Sequence, residues 1–120
     1  MILADTSIWV DHFKKRDRKI LDILEQRQIL THPFVIGEIM LGQFADRLLI
    51  RELFLNLESS AIASQIEILK FIEAEKLFGR GVGLIDVHLL ASARLSSAKL
   101  LTHDKRLHEV ASELRLTSDI

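Results

Sequence analysis

The chain has 120 residues, 48% hydrophobic and 28% charged, with one proline, five glycines and no cysteine. That length reads as a single domain over residues 1–120, which buries roughly two-thirds of its unfolded surface and holds a core without staples. Zero cysteine excludes disulfide scaffolds, thiolate zinc sites and cysteine nucleophiles, and a formal net charge of −1 argues neither for nor against a polyanionic partner.

Ile2-Leu3-Ala4 is an apolar run that ends in Asp5-Thr6-Ser7, the pattern of a buried strand entering a turn. Residues 8–13 take helical spacing, and a second helix is expected over 17–28, where Ile20, Leu21, Ile23 and Leu24 make one apolar stripe. Residues 29–32 read as a second strand. Pro33 takes the favoured first position of a helix that runs to about Leu41 and stops at Gly42. Residues 46–55 continue helically, and 57–59 fit a short strand or only a turn.

The longest helix is expected over 61–78, with Ile62, Ile66, Leu69, Ile72 (or Phe71), Ala74 and Leu77 inward and Gly79 as its stop. After a flexible connection at 79–83, residues 84–95 form an almost wholly apolar helix, which implies burial between other elements. A strand at 99–102, a helix at 105–114 and an edge strand at 116–117 complete the chain. Strands alternating with helices predict an α/β fold of three layers, α/β/α, around a short central parallel sheet. No stretch approaches the ~20 apolar residues of a membrane span. The first residues lack the basic segment of a signal peptide, so an intracellular, cytoplasmic location is expected.

Most of the seventeen acidic residues lie on polar helix faces beside Lys or Arg. Asp5, Glu38, Asp86 and Asp104 do not: two end strands, and two sit inside apolar helical runs. An ionised carboxylate in such surroundings is expected to be paired or to hold a metal. Each also has a simpler reading. Asp5 and Asp104 suit helix N-caps, Glu38 could reach solvent or an Arg, and Asp86 could cap its helix after the glycine turn. Ligands bind at the carboxyl ends of parallel strands, where Asp5 and Asp104 lie and where two helices could project Glu38 and Asp86. Four carboxylates in one small site repel and raise each other's pKa unless neutralised. An oxygen-only set suits Mg²⁺ or Mn²⁺ rather than zinc, so the four are expected to meet in space and cage one such cation.

These residues also resemble a known pattern. Ile2-Leu-Ala-Asp5-Thr-Ser7-Ile-Trp9, His32-Pro-Phe-Val-Ile-Gly-Glu38, Gly83-Leu-Ile-Asp86-Val-His-Leu-Leu-Ala-Ser92 and Leu101-Thr102-His-Asp104-Lys-Arg-Leu107 are similar, in order and spacing, to the motifs of PIN-domain ribonucleases of the VapC toxin type. The resemblance covers essentially the whole chain. It implies a PIN fold, Mg²⁺- or Mn²⁺-dependent endonuclease activity on RNA, and inhibition by a VapB-like antitoxin. Carried over by position, Asp5, Glu38, Asp86 and Asp104 take the acidic quartet as catalytic and metal-binding residues, while Thr6 or Ser7 and Thr102 match supporting hydroxyls. His103 stands where the family often has Arg, so no phosphate role is carried over to it.

An acidic pocket repels RNA, so positive charge must come from its rim. Lys14, Lys15, Arg16, Arg18 and Lys19 form the densest basic run, and Arg80, Lys105 and Arg106 flank the expected site. The five histidines show no helical zinc spacing, and His88 is expected to make a buried hydrogen bond. Trp9 and the six Phe are expected mainly in the core. A receiver domain would need a phosphorylatable Asp near mid-chain, where only Glu58-Ser59-Ser60 stands. A phosphatase with an Asp nucleophile would need a second Asp at Ser7. The remaining rival is a non-catalytic PIN-like binding module. Excess apolar surface on 46–55 and 61–78 predicts a homodimer or a groove for an amphipathic antitoxin segment.

Overall fold

The computed structural model describes residues 1–118 and 120. β1 (Ile2–Ala4) lies between β2 (Ile29–Leu30) and β3 (Lys99–Leu101) in a parallel sheet of order β2-β1-β3. Leu3 stands opposite Leu30 on one side and Leu100 on the other. Leu3 and Ala4 are fully buried, as the central strand of a sheet covered on both faces requires. At 57–59, where a short strand or only a turn is expected, and at the expected edge strand 116–117, there are single parallel bridges, Thr31 to Ser59 and Leu100 to Thr117.

Around the sheet are α1 (Thr6–Lys14), α2 (Arg18–Glu25), α3 (Pro33–Met40), α4 (Arg47–Asn56), α5 (Gln65–Ala74), α6 (Leu84–Leu95) and α7 (Lys105–Glu113). None is long and apolar enough to cross a membrane. α1 starts two residues before the first expected position because Asp5 caps it. α2 stops at Glu25, short of residue 28, where Arg27 turns to a positive φ of 53°. α6 buries six of its residues, as its composition predicts, and leaves Leu84 and Leu95 exposed at its ends.

α5 corrects the sequence reading most. It begins at Gln65 because Ser64 and Glu67 close a capping box, and it ends at Ala74. Ile68 and Leu77 are buried, while Ile62, Ile66, Leu69 and Ala74 are exposed. A segment apolar on several sides does not choose its buried face by spacing alone. The aromatic expectation also narrows. Trp9 and Phe54 are buried edge to face at 4.9 Å, but Phe13, Phe34 and Phe78 are exposed.

Candidate active site

Asp5 leaves the end of β1 as the N-cap of α1. Its Oδ1 accepts the Ser7 hydroxyl at 2.5 Å and the Ile8 amide at 3.3 Å, and its Oδ2 accepts the Thr102 hydroxyl. Thr102 Oγ1 in turn accepts the Asp104 amide, and Ser7 Oγ accepts the His103 amide, both at 3.0 Å. The start of α1 and the turn after β3 are thus stitched together around one carboxylate that is only 6% exposed.

The other three acids hang more loosely on the same end of the sheet. Asp104 caps α7, its Oδ1 accepting the Leu107 amide at 3.0 Å. Glu38, in the second turn of α3, accepts the Thr6 hydroxyl at 2.7 Å. Asp86, in the first turn of α6, accepts the Gly83 amide at 3.3 Å. The capping readings of Asp5, Asp104 and Asp86 therefore hold. They do not compete with a site, since a carboxylate has about four lone-pair positions and these bonds leave some open.

Two expectations about burial change. Glu38 is exposed and has no Arg partner among the described residues, because α3 turns Val35 and Ile39 inward instead. Asp104 is exposed as well; only Asp5 is buried, and Asp86 is half-buried.

The four carboxylates nonetheless feel one another. Burial pushes the Asp86 carboxyl above its ordinary pKa, the Gly83 amide partly offsets this, and the charges of Asp104, Asp5 and Glu38 raise it further. Crowded, oxygen-only donors of one sign suit a hard divalent cation. The expected ready-made cage is not there: among the described residues, no three acidic or imidazole side chains are gathered closely enough to hold an ion. Each carboxylate is instead turned onto its own amide or hydroxyl donor.

At the rim, His103 Nδ1 lies 2.5 Å from Asp11 Oδ2. Asp11 went unnoticed among the polar positions of α1, although Ser7 and Asp11, four apart, share one helix face and both meet His103. Of the basic candidates, Lys14, Lys15, Arg16, Lys105 and Arg106 are exposed. Arg18 is engaged by Asp22 and Arg80 by Glu113. The Arg106 side chain lies against Gly81, whose φ is +78°. His32 caps α3 through Nδ1, accepting the Phe34 amide at 3.0 Å, and burial lowers its pKa to about 4, with His88 adding to the effect. His88 does not make the expected bond: its buried Nδ1 has no partner among the described residues, and the ring packs edge-on to Phe34 at 4.8 Å.

Comparison with protein families matches residues 2–113 to the PIN domain. Among curated proteins, the chain is similar to Ribonuclease VapC32 from two strains of Mycobacterium tuberculosis, CDC 1551 / Oshkosh and ATCC 25618 / H37Rv. Each is 36% identical over 114 residues, which is 94% of this chain and 92% of the relative. Sheet order, the acidic end of the sheet and this match agree: the chain belongs to the PIN-domain family.

Proposed function

We propose that the chain, as a single 1–120 domain, is an endoribonuclease toxin of the VapC kind that uses Mg²⁺ or Mn²⁺. The observation that carries this reading is the placing of four carboxylates at the carboxyl end of the sheet: Thr102 links Asp5 to Asp104, Thr6 beside Asp5 holds Glu38, and Asp86 is raised by burial first and then by the charges of the other three. The relatives, named ribonucleases, supply the substrate class.

Asp5, Glu38, Asp86 and Asp104 would hold the ion, and the chemistry it would supply there is Lewis-acid activation of water and stabilisation of charge developing at phosphorus. The chain's own part is positioning. Ser7 and Thr102 each donate a hydrogen bond to Asp5, and Thr6 donates one to Glu38, so these hydroxyls orient carboxylates. Glu38 and Asp86 are each held by a single hydrogen bond.

Two partners fit the surface. A cleft of about 510 Å³ with Trp9, Phe13, Leu24 and Phe54 in its walls suits an amphipathic segment of a VapB-like antitoxin. Exposed Leu48, Leu49 and Leu55 on α4 suit a second copy, giving a homodimer in the cytoplasm. The test is to free the chain of any antitoxin and incubate it with structured RNAs, with Mg²⁺ or with excess EDTA. Cleavage only with the metal is expected. No metal-dependent cleavage on any RNA would leave a binding module.

A further inference from the structure

We propose that the cleft along the second half of α1, beginning at His103, holds the RNA strand on one side of the scissile phosphate. In it Lys14, Lys15 and His103 contact the backbone, and Asp11 positions His103. The inference rests on the ribonuclease reading above and adds which surface carries the substrate.

The cleft has a volume of about 370 Å³, and its walls include Ile8, Asp11, His12, Lys14, Lys15 and His103. It is continuous with the acidic site through the backbone, since His103 precedes Asp104 and its amide is bonded to Ser7, which is bonded to Asp5. The cleft therefore begins one residue from Asp104.

The walls carry two lysines and two aspartates, and both aspartates are turned onto partners within the protein, Asp11 onto His103 and Asp17 onto the Lys19 amide at 2.9 Å as the cap of α2. Lys14 and Lys15 are exposed and form no ion pair among the described residues, unlike Arg18, Arg80 and Arg94. The Asp11 carboxylate accepts from His103 Nδ1, which leaves Nε2 as an acceptor, suited to a ribose hydroxyl. Both side chains of that pair are about half exposed (52% and 57%), so the ring is fixed without being shut in. Lysines without carboxylate partners contact phosphates of any sequence, and the braced imidazole accepts from a ribose hydroxyl, which positions the strand without reading bases.

The test uses the full chain carrying Asp86→Asn, so that a labelled single-stranded RNA 12-mer is bound in Mg²⁺ without being cut. Lys14→Ala with Lys15→Ala is expected to weaken binding about tenfold at low salt and to reduce the log–log salt slope by about 1.4. In the active chain, His103→Ala and Asp11→Ala are expected to raise KM severalfold with kcat within about twofold. His103→Gln, which keeps an acceptor near the Nε2 position, should restore most of the loss. An unchanged salt slope in the lysine variant, or a fall in kcat with KM unchanged for His103→Ala, overturns the proposal. An active chain that cleaves normally with all these variants sinks this inference alone, whereas a chain that cleaves no RNA sinks the ribonuclease reading beneath it.

Discussion

Asp5 reaches the carboxyl end of the sheet with both oxygens engaged, by two hydroxyls and an amide, inside a buried knot that joins α1 to the turn after β3. Asp86 reaches the same end on the first turn of α6, half-buried, with one 3.3 Å bond and three like charges pressing on it. One carboxylate organises the fold around itself; the other is tolerated by it. The contrast separates two kinds of acidic residue that one function would use together. A group satisfied by the protein contributes to stability, and a group left in repulsion keeps its affinity for something the protein lacks.

The largest effect expected is on chemistry and does not distinguish the pair. Asp5→Asn and Asp86→Asn should each lower Mg²⁺-dependent RNA cleavage on the order of a thousandfold, as loss of a group that acts on developing charge does. More than a tenth of the activity surviving in either variant, measured on labelled RNA, would remove that residue from the site.

A third buried ionisable group extends the comparison to pH. His32 is held neutral, its pKa lowered from 6.5 to about 4. Above the unfolded value both states are neutral and nothing is lost. As pH falls from about 6.5 towards 4, the unfolded chain takes up a proton that the folded chain refuses, so stability declines by up to about 3 kcal/mol and then levels off. Urea unfolding between pH 7 and 4 should show this decline, and His32→Asn, which still caps α3, should flatten it.

The sharpest test of the contrast is smaller. In metal-free buffer, Thr102→Val leaves an Asp5 oxygen without its donor and should cost about 1–2 kcal/mol. Asp86→Asn should change stability in the opposite direction, raising the melting temperature slightly, because it removes a carboxylate held above its ordinary pKa by burial and like charge. Two shifts of the same sign would dissolve the distinction between a satisfied and a strained acid.

How far these features could be read in advance follows the same division. The strand cores and the capping aspartates were legible because short apolar runs ending in Asp leave few alternatives, and Leu3, Leu30 and Leu100 fall in register as that reading requires. The four carboxylates were legible as anomalies against apolar neighbours. The exposure of Glu38 was not, because α3 has apolar residues on more faces than it buries. The same ambiguity misplaced the buried face of α5, where Ile68 is in and Ile66 is out. The Asp11–His103 pair spans 92 positions and gives no local signal except the shared helix face of Ser7 and Asp11.

The loose seating of Asp86 has a consequence for how such a chain changes over generations. A lineage under pressure to silence itself can do so at Asp86 and emerge sturdier, with its outer surfaces intact. Silencing at Asp5 unravels the knot that holds two segments together. Inactive descendants that persist as folded proteins should therefore have lost the acid of α6 more often than the acid of β1.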